Sequence, residues 1–325
     1  MSKVAILALV AGLIGAVALV VGFGAGAIAA AIVDLGWLGF LLLCIAHAPV
    51  AGLLGMGWRV CLKPVATASS LGLIWARVLR DAGAEVLPFS EIGGMIIGVR
   101  AAILAGVSGA EAAASTLVDL TTEFVAQLAF IALGLLALEE IRPGAAIIRP
   151  ALFGIVACLA FTGLLAFSLR RSPWLSRLVR AGAKRWLSAF GEVDNALTAL
   201  SEVTARPGAL AASFALHLLA WLGVAFEAWL ALRLIGAPIS IEGAVAMESL
   251  LFASRSLAFF IPNALGVQEG AYALLAPLVG LTPADALALS LIKRARDLAI
   301  GAPALLIWQR AEAARAWSKR SGPAH

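Results

Sequence analysis

The sequence is short of the residues from which soluble enzymes usually build their chemistry. Only 13% of its 325 residues are charged, and it has one tyrosine, three cysteines and three histidines. A soluble domain averages about 25% charged and about 45–50% apolar residues. Here 62% are apolar, and long apolar runs recur along the chain, which places it in a membrane. Cys44, Cys61 and Cys158 are isolated and odd in number, which excludes a disulfide framework and a zinc site. His47, His217 and His325 have no ligand spacing. No Walker loop and no dinucleotide fingerprint is present, so neither a cofactor nor a metal is expected. The net charge of +5 sits mostly in loops between apolar runs. It is assigned to topology and anionic lipid headgroups, and nucleic-acid binding is set aside.

What is there is a succession of apolar segments carrying a few well-placed charges. Val4 to Val33 is Gly/Ala-rich and longer than a signal-peptide core, so it reads as a retained first span. Leu35 to Val60 is a second. Ala66 to Leu87 carries Arg77, Arg80, Asp81 and Glu85 on one side. That face suits either an amphipathic helix on the membrane surface or a contact of Arg77 and Arg80 with lipid phosphates. Pro88 to Ser108 holds Glu91, Gly93, Gly94, Gly98 and Arg100 and is too interrupted for a simple span. Gly109 to Leu138 is a full span with Asp119 and Glu123 one turn apart. Glu123 lies roughly 20 Å along it, near the middle of a hydrocarbon core about 30 Å thick, where a carboxylate needs a partner or a proton.

Ala151 to Ser168 and Ala209 to Ile235 are further spans, the latter bearing Glu227. Between them, residues 169–208 form a basic amphipathic segment expected on the cytoplasmic face. Ile239 to Phe260 carries Glu242, Glu248 and Arg255. The stretch from Pro262 to Trp308 is mostly apolar, yet holds Glu269, Asp285, Lys293, Arg294, Arg296 and Asp297 beside several prolines and glycines. The fold class that follows is all-α: one polytopic transmembrane domain over 1–325, with about six spans and two re-entrant or broken helical hairpins. Basic loops and the basic tail place both termini in the cytoplasm of a bacterial cell, with the chain in its inner membrane.

The two broken regions resemble each other at a constant shift of 174 residues, pairing Pro88 with Pro262, Gly106 with Gly280, Glu111 with Asp285 and Glu123 with Asp297. The halves run over about 66–138 and 241–310. By the positive-inside assignment they are inverted, a transporter signature. The same shift sets Asp119 opposite Lys293, an acid facing a base across the pseudo-twofold.

Pro262, the GVQE run at Gly266–Glu269, the Gly-Leu-Thr start at Gly280–Thr282 and the ionic segment Lys293–Asp297 resemble the transmembrane region of lysylphosphatidylglycerol synthases. Arg77–Arg80, Glu91 and Gly106–Glu123 fit the same group, and the length and Ala-rich style look most like its hopanoid-locus membrane proteins. The resemblance implies a lipid flippase domain, as in the multiple peptide resistance factor, where this region moves an aminoacylated phospholipid between leaflets. No aminoacyl-transfer domain follows residue 310, so aminoacylation is not expected.

The expectation is a translocator of a polar-headgroup lipid, phospholipid or hopanoid-type, and not an enzyme. Asp119, Glu123, Glu269, Lys293, Arg296 and Asp297 would form the translocation path, with Arg77, Arg80, Arg100 and Arg255 as headgroup contacts. Two alternatives remain. A headgroup-modifying enzyme would use Glu269 or Asp297 as general base and turn over without cofactor. A scaffold for lipid synthesis would tolerate charge-neutral substitution of the midplane residues. Membrane lipids are the expected partners, with a homo-oligomer or lipid-synthesis enzymes as further ones.

Overall fold

In the computed structural model, residue 21 and residues 25–63, 68–86, 90–171, 193–257, 261 and 264–321 are described. Every regular element among them is helical: α1 (Ala25–Cys61), α2 (Ser70–Val86), α3 (Ser90–Leu104), α4 (Gly109–Ile141), α5 (Ile148–Arg171), α6 (Val193–Thr204), α7 (Pro207–Leu234), α8 (Ile241–Leu257), α9 (Val267–Leu275), a single 3₁₀ turn and α10 (Pro283–Ser321). Most of the N-terminal run, Pro88, Pro262 and the arginine-rich part of the basic segment, 172–192, lie outside the described residues. Among the described residues, three helices, Ile28–Cys61, Gly109–Ile141 and Pro207–Leu234, are by themselves long and apolar enough to cross a bilayer. α10 has the length as well, at 39 residues, but its charges lower its hydropathy. Large apolar side chains such as Trp37, Leu38, Phe153 and Val156 stand exposed on the outside, as lipid-facing positions require. The protein is a polytopic helical membrane protein.

α1 runs through the junction of the first two apolar runs and kinks there, at Gly36 (φ 60°, ψ 175°). It lies antiparallel to α7, with Gly39 near Leu234, Val50 near Gly223 and Gly57 near His217. α2 and α3 form an antiparallel hairpin whose ends adjoin where Gly72 meets Ala105. α8 and α9 form a second, whose ends adjoin where Gly243 meets Val279.

The glycines of α3 do not interrupt it: α3 is one continuous 15-residue helix. They let α2 come close. A Cβ on Gly94 would lie 2.4 Å from the Arg80 carbonyl oxygen, and one on Gly98 would lie 2.8 Å from the Arg80 Cβ. Close backbone approach, and not a break, is what this glycine run encodes.

α1–α4 and α7–α10 repeat one order: long helix, hairpin, long helix. α4 packs on α8 and α7, as α10 packs on α2 and α1, so exchanging the halves leaves these neighbours unchanged. The turns before α4 and α10 match in detail. Gly106 (φ 99°) and Gly280 (φ 81°) both adopt the left-handed conformation that glycine reaches without steric cost. The amides of Val107 and Leu281 then donate back to the carbonyls of Ala102 and Ala276, at 3.1 and 3.0 Å. The hydroxyls of Ser108 and Thr282 cap the two helices, accepting from the amides of Glu111 and Asp285.

Candidate functional site

The two arginines of α2 are buried, and Asp81 and Glu85 are partly so, which overturns the reading of 66–87 as a surface helix. Arg77 and Arg80 are only 3% and 5% exposed. The one-sided spacing of Arg77, Arg80, Asp81 and Glu85 serves the bundle interior instead, because α2 is flanked by α1, α3 and α10. Arg77 grips Asp81 at 2.8 Å and Glu123 at 2.6 Å, and Arg80 reaches both Asp119 and Glu123 at 2.6 Å. Asp119 is fully buried, and its other oxygen meets His217 Nε2 at 2.9 Å. Trp58 lies beneath Arg80 with its ring centroid 5.8 Å away, and its indole N–H donates to Ser115. The mid-span carboxylate thus has two guanidinium partners, which is how a buried charge is retained.

Asp119, Glu123 and His217 converge closely enough to face one cation. Two guanidinium groups already hold the carboxylate oxygens, and a metal would have to displace them.

A second cluster joins α10 to α1 and α7. Arg296 is bound through Nη1 to Glu227 and through Nε and Nη2 to Asp297. His47 Nδ1 sits 3.1 and 3.3 Å from the two Glu227 oxygens. A third group lies between α8, α9 and α10. Lys293 pairs with Glu248 at 2.5 Å, and the Tyr272 hydroxyl donates to the same carboxylate at 2.6 Å. Glu269 holds Arg294 at 2.6 Å and accepts from the Gly266 amide, closing the N-terminus of α9. Asp119 and Lys293 therefore do not face each other. Each is neutralised within its own half, because a closer opposite charge stands on the adjacent hairpin.

These clusters surround one cavity of about 550 Å³. Its walls carry Arg77, Arg80 and Glu123 from the first cluster, His47, Arg296 and Asp297 from the second, and Lys293 with Arg255. Arg255 bridges Glu85 of α2 at 2.8 Å and Gln268 of α9 at 2.9 Å, tying the two hairpins together across the cavity. Asp81, Glu85, Gln127, Ser256 and Gln268 add further polar groups, and a separate part of the wall is apolar or aromatic, with Val50, Leu54, Phe124, Trp221, Val224 and Phe252. A chamber charged on one part of its wall and greasy on another suits an amphiphile: a headgroup exchanges into the charge network while chains stay against hydrocarbon.

The sequence-predicted residues divide accordingly. Arg77, Arg80, Glu123, Arg255, Lys293, Arg296 and Asp297 line the cavity. Asp119 lies behind the wall, orienting Arg80 and His217. Glu269 is buried as a helix clamp outside the lining. Arg100 is 45% exposed, pairs with Glu312 of α10 and belongs to none of the clusters. Asp81, Glu85, Glu227 and Glu248 were noted in their segments but not assigned to the site, and His47, Gln127, Trp221 and Gln268 were not assigned to it either. A carboxylate inside an apolar run, such as Glu227 or Glu248, was the signal available.

A profile described as "Lysylphosphatidylglycerol synthase TM region" matches residues 3–304, nearly the whole chain. The chain belongs to that family. No curated protein and no solved structure gives a significant match to it. Family membership makes it a membrane protein of lipid metabolism or translocation. Within this family member the matched stretch contains every residue of the cavity wall named above.

Proposed function

We propose that this protein moves a polar-headgroup lipid between the two leaflets, without altering it chemically, through the charged cavity between the hairpins. The observation that carries the reading is the cavity's composition: about 550 Å³, with three cationic side chains of α8 and α10 and two of α2 beside their carboxylates on one part of the wall, and apolar and aromatic side chains on another. Every one of those cations is already paired with a carboxylate. A lipid phosphate can take a carboxylate's place at a guanidinium, so a headgroup passes by partner exchange instead of by bare desolvation.

The repeat supports the same reading. α1 and α7 exchange under the repeat and run antiparallel, so the axis relating the halves is perpendicular to them. In a bilayer that axis lies in the membrane plane, which gives inverted halves with the cavity between them, the arrangement needed for alternating access. The positive-inside rule puts both termini on the cytoplasmic side of a bacterial inner membrane.

The test is transbilayer movement of a fluorescent phospholipid in vesicles holding the purified protein, with Arg255→Gln and Asp297→Asn alongside after a folding check. Movement above protein-free vesicles that falls in both variants supports translocation. Equal movement in wild type and both variants would move the function away from the cavity and favour a scaffold role.

A further inference from the structure

Of the two histidines among the described residues, His217 is sealed and His47 is not. His217 is fully buried between α1, α4 and α7. His47 keeps 22% of its side chain exposed and borders the main cavity. It also borders a second cavity of about 50 Å³, lined by Asp81, Glu85, Asp297 and small or apolar residues. That volume and that polarity suffice for water. Asp81, Glu85, Asp297 and His47 are common to both cavities, so His47 stands at their junction.

Among the described residues, the charge around His47 is unbalanced. From α7 comes Glu227 and from α10 come Arg296 and Asp297. α2 presents Asp81 and Glu85, the first held by Arg77 and the second by Arg255. Glu123 of α4 is held by both arginines of α2, and Cys44 lies one turn before His47 on its own helix. Glu227 and Asp297 thus share the single guanidinium of Arg296. An ionised carboxylate only accepts, so Glu227 fixes the N–H of His47 on Nδ1 and leaves the Nε2 lone pair available.

We propose that His47, Glu227 and Arg296 form a proton-binding site that couples proton uptake to binding of a phosphate-bearing headgroup. The proton comes from water in the cavities and adds to the Nε2 lone pair. The resulting imidazolium balances Glu227 through Nδ1–H. Arg296 then keeps Asp297 on Nε and Nη2, while Nη1, no longer required by Glu227, turns to a phosphate oxygen. Proton and anionic group bind together and are released together. The proposal rests on the translocation reading for its site but is tested separately from it.

The experiment uses full-length protein in phosphatidylcholine vesicles with a fluorescent phosphatidylglycerol probe, and measures its transbilayer rate between about pH 8 and about pH 6, where histidine titrates. The expected result is a rise of about tenfold on acidification, lost in His47→Gln and in Glu227→Gln and kept in His217→Gln. A wild-type rate that is flat across that range, or a dependence that survives His47→Gln, overturns the proposal while leaving translocation standing. If no lipid moves at all, translocation fails, and a second measurement decides the proton site. Dihexanoyl phosphatidylglycerol is added to the detergent-solubilised protein in weak buffer. Uptake of about one proton per chain, absent in His47→Gln and Glu227→Gln, supports the site; no uptake by wild type overturns it.

Discussion

At the residue scale, the buried ion pairs differ sharply in what depends on them. Asp119 is fully buried and anchors Arg80, Arg77 and His217. Asp119→Asn leaves those groups short of their counter-charge, a change that typically costs about 3–5 kcal/mol. The expected outcome is a large fall in the melting temperature of the detergent-solubilised protein. The pair Arg100–Glu312 is largely exposed, and Arg100→Ala is expected to cost less than about 1 kcal/mol in the same measurement. Comparable losses for the two variants would contradict the ranking by burial. Glu269 makes a different prediction. It clamps Arg294 and the start of α9 without lining the cavity. Glu269→Gln should therefore lower stability more than it alters the dependence of rate on lipid headgroup, read as the rate ratio between two headgroups relative to wild type.

At the element scale, the hairpins are set by glycine. Gly94→Ala puts a methyl group 2.4 Å from the Arg80 carbonyl oxygen, which a backbone cannot easily yield. Overpacking of this kind costs about 1–3 kcal/mol, and it also moves Arg80 off Asp119. Gly270 in α9 has open space around it. Gly270→Ala is expected to be neutral or to stabilise by up to about 1 kcal/mol through helix propensity. Thermal shifts of opposite sign for these two variants are the predicted pattern; a loss at Gly270 as large as at Gly94 would contradict it. The same element shows how a sequence misleads. An amphipathic helix facing a buried charge network and one lying on a membrane surface have the same one-sided pattern, so α2 read as either. Only the position of Asp119 and Glu123 opposite it, on α4, separates the two. The glycines of α3 likewise read as breaks because glycine signals both a bend and a close contact.

At the scale of the whole molecule, the architecture was more legible than the site. Long apolar runs identify a membrane protein at once, and the shift of 174 residues aligned Gly106 with Gly280, two glycines that fold into the same left-handed turn. Glu123, Arg296 and Asp297 stood out because charges in apolar runs are costly. The partners did not. His47 and Glu227 are 180 residues apart, and nothing local in either segment points to the other. Pairing of Asp119 with Lys293 followed from assuming contact across the pseudo-symmetry axis, whereas each hairpin supplies its own counter-charge first. The central claim is that one cavity carries both lipid and charge past the core. It is tested most directly by filling the cavity. Leu120, on the cavity wall, is replaced by tryptophan, and exposed Val156 of α5 is replaced likewise as the control. Both proteins are assayed for transbilayer movement of a fluorescent phospholipid after confirming equal melting temperatures. The predicted result is movement stopped by Leu120→Trp and unaffected by Val156→Trp. Undiminished movement with the cavity filled would contradict the claim.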